Sequence, residues 1–202
     1  MWCDVNEQLL SPDILLNAYR SGVFPMTDAD GQTRWYTADP RGVLPLDAFH
    51  CPKSLAQIVR QRKFDVRVNF DFESVVRACK DVFRPEAHGG WIGDDIVRAY
   101  TQLHHNGHAH CIAAYQNQKL VGGLYGVSIG GAFFGESMFF TVPNASKVCL
   151  VHLVHRLRAR GYALLDTQMV TDHMKQFGCT HMPGDAYMDQ LEHAMTLSCT
   201  FV

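Results

Sequence analysis

The sequence predicts an α+β fold, a mixed sheet flanked by helices with a small N-terminal domain in front of it. Three observations carry that expectation. Residues 108–141 hold three strand-like runs joined by hairpin-length connections, helical patterns precede and follow them, and a last short apolar run, Ala163–Thr167, brings in another strand after a helix. Of the 202 residues 47% are hydrophobic and 19% charged, which suits one substantial core. The expected division is a small domain over 1–45 and a larger one over 46–202.

Taken in order, Ser11-Pro12 caps a short helix carrying Ile14, Leu15, Leu16 and Tyr19 and ending near Gly22. Val23–Met26 and Trp35-Tyr36 place apolar groups among turn residues, and Asp39-Pro40-Arg41-Gly42 reads as a turn. Lys53–Lys63 has helical spacing, Phe64–Asn69 alternates as a strand, and Asp71 is expected to cap a helix through about Phe83. Trp91 follows Gly89-Gly90, and Asp94–Asn106 is a helix with Ile96, Val97, Tyr100 and Leu103 inward and Gly107 after it. The strands are His108–Tyr115, Lys119–Ser128 and Ala132–Thr141. Helices over Asn144–Arg160, Thr171–Phe177 and Gly184–Leu197 follow, with the strand Ala163–Thr167 after the first of them. That order is the order of an acetyltransferase-like (GNAT-type) mixed sheet.

Composition excludes several classes. A net charge of −2 gives no global basic field for nucleic acid, so any polyanion contact has to be local. The one basic cluster is Lys53, Arg60, Arg62 and Lys63, either a solvated helix face or a phosphate-backbone patch. Seven cysteines, odd in number and never in a CxxC, argue for a reducing, cytoplasmic setting, and the first nine residues lack the pattern of a signal peptide. The longest uncharged apolar run, Leu120–Phe134, holds five glycines and suits strands, so no membrane partner is expected. Histidines 104, 105, 108 and 110 are split by Gly107 and lack ligand spacing, so no metal is expected.

The polar outliers mark candidate chemistry. Glu136 lies in the most apolar, glycine-rich stretch, where an unpaired carboxylate is costly. Asp166 and Gln168 end a short apolar strand; Gln168 is suited to orient an amine or a carbonyl with Asp166 polarising it, and Glu136 to meet a substrate α-ammonium. Asp166 equally suits a structural cap or a pair with Arg158. Arg158–Ala163 matches the R-x-x-G-x-A string of coenzyme A sites but sits at a helix end, where carbonyls point outward. Cys149, His152 and His173 with Asp166 imitate a thiol triad, yet Cys149 falls in an apolar helix that favours inert packing.

Several strings in order carry a resemblance: Ala18–Met26, Trp35-Tyr36 with Asp39-Pro40-Arg41, Trp91-Ile92, Ala99-Tyr100 to His110, Leu120–Tyr125, Phe134–Phe139, Asn144–Lys147 and Asp166-Thr167-Gln168. Together they resemble the leucyl/phenylalanyl-tRNA–protein transferases, bacterial aminoacyl-transferases of the N-degron pathway. The resemblance implies a small N-terminal domain on an acetyltransferase-like domain and no cofactor. It implies transfer of Leu or Phe, less readily Met, from Leu-tRNA or Phe-tRNA to the N-terminal Arg or Lys of an acceptor protein. By the same resemblance Gln168 and Asp166 are catalytic, and Glu136, Trp91, Met26 and Thr171 surround the aminoacyl-adenosine. Leu124, Phe133, Met138, Leu150, Leu153, Leu157 and Leu165 line the aminoacyl pocket, and Lys53, Arg60, Arg62 and Lys63 meet tRNA. Gln57 and Gln61 replace two basic positions, Ala113 stands where the family commonly shows glutamate, and Thr171 where some members have asparagine. Two other functions stay open on the residues: an acyl-CoA-dependent N-acetyltransferase, and an inactive tRNA-binding adaptor.

Overall fold

Ser11 and Gly22 bracket the first helix as their chemistry demands. In this computed structural model, which describes residues 10–82 and 91–202, α1 spans Pro12–Arg20. The Ser11 hydroxyl accepts from the Ile14 amide at 3.5 Å. At the other end Gly22 has φ +72°, its amide reaches the Tyr19 carbonyl at 3.0 Å, and Val23 reaches Ala18 at 2.9 Å. A left-handed residue closing a helix in this way is best supplied by glycine. Phe83, Gly89, Gly90 and the first nine residues lie outside the described residues.

Next come β1 (Phe24–Thr27) and β2 (Thr33–Tyr36), an antiparallel pair in register Phe24–Tyr36, where the sequence suggests only loops bearing aromatic groups. Then follow β3 (Arg41–Val43), α2 (Lys53–Arg60), β4 (Asp65–Val68), α3 (Phe72–Lys80), α4 (Asp94–His105), β5 (Ala109–Gln116), β6 (Lys119–Ile129) and β7 (Ala132–Phe140). The chain ends with α5 (Ala145–Ala159), β8 (Leu164–Gln168), α6 (Asp172–Lys175), β9 (Thr180–Met182) and α7 (Gly184–Met195). Asp71 precedes α3 but adopts φ +56° and makes no side-chain cap, so its expected capping bond is absent.

Seven strands form one mixed sheet in the order β4-β5-β6-β7-β8-β3-β9, in which only β7 and β8 run parallel. This is the α+β architecture that the element order predicts. Arg41–Val43, read from sequence as part of a turn within the N-terminal segment, is a strand of this sheet between β8 and β9. Apolar residues form a core on each face. One gathers α1, α3, α4 and α7 and includes Tyr19, Phe24, Tyr100 and Tyr187. The other gathers α2 and α5 and includes Leu55, Leu150, Leu153 and Leu157.

Gly42 decides how closely β3 approaches β8. A Cβ on it would stand 2.5 Å from the Met169 carbonyl carbon and 2.8 Å from the Val170 nitrogen, both backbone atoms. No rotamer change relieves such a clash, so one strand must move. Gly42→Ala is therefore expected to cost about 1–3 kcal/mol of stability, read as a lower urea midpoint. A midpoint equal to that of the wild type would show that the two strands separate freely.

Candidate active site

The parallel strands β7 and β8 pair over only Ala132–Leu164, Phe133–Leu165 and Phe134–Asp166. Just beyond the pairing each strand carries a bulge. On β7, Gly135 faces Gly126 and Ser137 faces Tyr125, which leaves Glu136 as the extra residue. On β8, Asp166 faces Val43 and Gln168 faces Gly42, which leaves Thr167 extra. Bulges break side-chain alternation and re-aim residues, and these two lie where the candidate polar groups meet.

Asp166 is fully buried, and so is its partner Arg41. Arg41 Nε donates to Asp166 Oδ1 at 3.0 Å and Nη2 to Oδ2 at 2.8 Å. Its Nη1 donates to the Gly22 carbonyl at 2.8 Å, and the guanidinium lies 4.9 Å from the Phe24 ring centroid and 4.6 Å from that of Tyr187. Burial opposes the Arg41 charge, but the hydrogen bonds and negative charge of Asp166 outweigh it, so its pKa is raised. The Tyr187 hydroxyl donates to Asp166 Oδ2 at 2.7 Å, and the Gln168 amide to Oδ1 at 2.7 Å. Asp166 thus pairs with Arg41; Arg158, the partner considered from sequence, instead donates to the Leu46 carbonyl at 2.6 Å.

Gln168 has φ +55°, a left-handed conformation uncommon for a side chain of its size, and the Asp166 carboxylate holds it by the backbone. Asp166 therefore fixes the Gln168 backbone, whereas the side-chain amide answers to Glu136: Nε2 donates to Glu136 Oε1 at 3.2 Å. With Nε2 engaged there, Oε1 of Gln168 remains as an acceptor for an incoming N–H.

Glu136 is itself enclosed. Tyr19 donates to its Oε1 at 2.7 Å, the Tyr100 hydroxyl lies 3.2 Å from its Oε2, and the two phenol hydroxyls contact each other. Burial pushes the Glu136 carboxyl from 4.5 up to about 7; the Tyr19 hydrogen bond opposes the rise and the charge of Asp166 adds to it. Burial, and then the Glu136 charge, raise both phenols. Glu136 is thus no free counter-ion facing solvent.

The other candidates fall around this centre. Met26 and Trp91 are half-buried against the same core, and the Thr27 amide donates to the Trp91 carbonyl at 2.9 Å. Thr171 is exposed and caps α6, its hydroxyl accepting from Met174 at 3.3 Å. Leu124, Phe133, Leu150, Leu153, Leu157 and Leu165 are buried together in the core under α5, with Met138 against them. Lys53, Arg60, Arg62 and Lys63 are all exposed on or just after α2, which lies against α5, and form no ion pair among the described residues.

Two sequence patterns lose their chemistry. In the Arg158–Ala163 string the Arg160, Gly161, Tyr162 and Ala163 amides all donate to backbone carbonyls, leaving none to cradle a pyrophosphate. Cys149 is fully buried, burial raises its thiol pKa, and Asp166 is already committed to Arg41, Tyr187 and Gln168. Sequence reasoning did not assign Tyr19, Tyr100, Arg41 or Tyr187 to the site. The one available signal was that Tyr19, Tyr100 and Arg41 lie inside the strings that carry the family resemblance; Tyr187 had none.

Residues 43–192 match the family described as leucyl/phenylalanyl-tRNA protein transferase, and residues 8–39 match the N-terminal domain of that family. A relative of that name from Salinibacter ruber is 52% identical over 94% of this chain and 82% of its own. Another from Rubrobacter xylanophilus is 49% identical over 95% of this chain and 98% of its own. Among solved structures, a GCN5-related N-acetyltransferase-like protein from Streptococcus suis is 15% identical with a TM-score of 0.40, covering 84% of this chain and 63% of that one. The chain belongs to the leucyl/phenylalanyl-tRNA protein transferase family, aminoacyltransferases that pass an aminoacyl group from a charged tRNA to a protein.

Proposed function

We propose that the protein transfers leucine or phenylalanine, and methionine less readily, from Leu-tRNA or Phe-tRNA to the N-terminal Arg or Lys of acceptor proteins in the cytoplasm, marking them for degradation. The observation that carries the site assignment is the position of Gln168, held by the backbone on Asp166 and by the side chain on Glu136. Its Oε1 accepts a hydrogen bond from the acceptor α-amine and aims the nitrogen lone pair at the aminoacyl ester. The nitrogen attacks the ester carbonyl carbon, the C–N bond forms, the C–O bond to the ribose breaks, and one amine proton ends on the released ribose oxygen. The ester is already activated, so no ATP is needed. A neutral amide is a poor base, and the site works by orientation and hydrogen bonding.

Trp91 and Met26 flank the terminal adenosine on one side of the sheet, Thr171 stands at the rim, and the apolar cluster from Leu124 to Leu165 takes the aminoacyl side chain on the other. Selection by shape alone discriminates by about 1–3 kcal/mol per methylene-sized change, which suits acceptance of several apolar side chains. Lys53, Arg60, Arg62 and Lys63, exposed on or just after α2, form no ion pair among the described residues and suit a phosphate backbone.

Transfer of labelled leucine from Leu-tRNA to a peptide beginning with Arg tests the reading. Gln168→Ala is expected to lower kcat about 100-fold with little change in the KM for charged tRNA; undiminished transfer would remove Gln168 from the reaction. Replacing Lys53 and Arg60 with alanine should raise the tRNA KM more than it lowers kcat. It should also reduce the slope of log affinity against log salt by about 1–2. A fall in kcat alone would take α2 out of the tRNA footprint.

A further inference from the structure

Proton counting around Glu136 constrains its charge. The carboxyl oxygens and the two phenol oxygens close a ring through three contacts: Glu136 Oε1 to Tyr19, Tyr19 to Tyr100, and Tyr100 to Glu136 Oε2. Each phenol supplies one proton and a carboxylate supplies none. With Glu136 ionised, two protons must serve three contacts, and one pair of oxygens meets with no hydrogen between them. With Glu136 protonated, the count closes: the acid donates to Tyr100, Tyr100 to Tyr19, and Tyr19 to Oε1. Both tyrosines are fully buried and Glu136 is 9% exposed, so an unmatched contact is costly.

The neighbours agree with this count. Tyr19 comes from α1, Tyr100 from α4, and Gln168 and Asp166 from β8, while Arg41 comes from β3. The Asp166 charge disfavours ionisation of Glu136 and the Arg41 charge favours it, but these two neutralise each other across a direct ion pair. Tyr125 of β6 acts on Tyr100 and Tyr187 of α7 acts on Asp166, and neither brings a positive charge to Glu136.

We propose that Tyr19, Tyr100 and Glu136 form a closed ring of three protons in which Glu136 is a neutral acid that positions the Gln168 amide. The proposal rests on the reading of Gln168 as the group that receives the acceptor amine. Oε1 of the neutral acid accepts from Tyr19 and from Gln168 Nε2 at once, which turns Gln168 Oε1 toward the substrate. A carboxylate here would hold the incoming amine as ammonium, which has no lone pair to attack with. A neutral acid lets the amine bind as the free base. Glu136 is then no partner for an α-ammonium, and Tyr19 and Tyr100 are positioning residues that act through it.

Infrared difference titration of the full chain reads the ring directly. The expected result is a protonated-carboxyl C=O band at pH 6, missing in Glu136→Gln, that fades as pH passes about 7. An ionised Glu136 at pH 6 overturns the proposal. Stability gives a second reading. Between 4.5 and about 7 the folded chain keeps a proton that the unfolded chain has lost, so Tm should fall as pH rises through that window and level off above it. The fall should be missing in Glu136→Gln; an equal fall in that variant overturns the assignment.

Tyr19→Phe and Tyr100→Phe each remove one oxygen and open the ring. Each should lower kcat about tenfold with the KM for charged tRNA within about twofold. Each should also move the pH at which the Glu136 band fades by at least about half a pH unit. Unmoved fading in both variants reduces the tyrosines to packing groups and overturns the proposal. Loss of transfer in Gln168→Ala combined with an ionised Glu136 would remove the ring and leave the Gln168 assignment standing; undiminished transfer in Gln168→Ala removes that assignment whatever the infrared band shows.

Discussion

The ion pair between Arg41 and Asp166, with both side chains fully buried, is the interaction on which the rest of the site depends. Such a pair is not a ready source of net stability, because taking two charges out of water offsets much of their attraction, whereas removing one partner strands the other at a cost of roughly 3–5 kcal/mol. What it supplies is registry. Arg41 draws together the end of α1 through the Gly22 carbonyl, β1 through Phe24, and α7 through Tyr187, while Asp166 anchors β8. The Asp166 carboxylate has one further duty, the amide of Gln168. A residue in the left-handed region persists only when its surroundings over-determine it. Here a buried charge, a bulge at Thr167 and the bare backbone of Gly42 together do so.

The bulge at Glu136 sorts the site onto the two faces of the sheet. Before it, Phe133 enters the core under α5 and Phe134 the core under α1 and α4. After it the parity is reversed, and Met138 meets the core under α5 while Phe139 meets the core under α1 and α4. Glu136 falls between the two regular stretches and points at the tyrosines of α1 and α4. An extra residue lets one strand carry both walls of an apolar cluster and a polar group aimed the other way, which strict alternation forbids.

Most regular elements were legible because their periodicity is strong: the strands 109–116, 119–129 and 132–140 and the helix 145–159 lie within two residues of the sequence reading. The short strands 24–27, 33–36, 41–43 and 180–182 were not legible, since three or four residues cannot display alternation and pairing with distant partners alone makes them strands. Glu136 was legible as a carboxylate in apolar company, but its partners come from residues 19 and 100, and no local rule links such separations. Likewise, the choice between Arg158 and Arg41 as partner of Asp166 is made by the β3–β8 pairing, which the sequence showed only as a turn. Asp71 had the right chemistry for a cap and the wrong backbone: at φ +56° it makes no side-chain capping bond.

The distribution of charge follows from a conflict between the two substrates. A charged tRNA is a polyanion, and the proposed acceptor begins with a cationic residue. A strongly positive centre would attract the first and repel the second, and a negative centre would do the reverse and also hold the acceptor amine as ammonium. The chain has a net charge of only −2, and the cluster of Lys53, Arg60, Arg62 and Lys63 is exposed on or just after α2. At the centre Arg41 is cancelled by Asp166, and in the proposed ring Glu136 is a neutral acid, favoured by its burial. On the proposed reading, long-range attraction, which salt screens, is left to the surface, and the reacting atoms meet in a site without net charge, where hydrogen-bond direction rather than Coulomb force selects the amine.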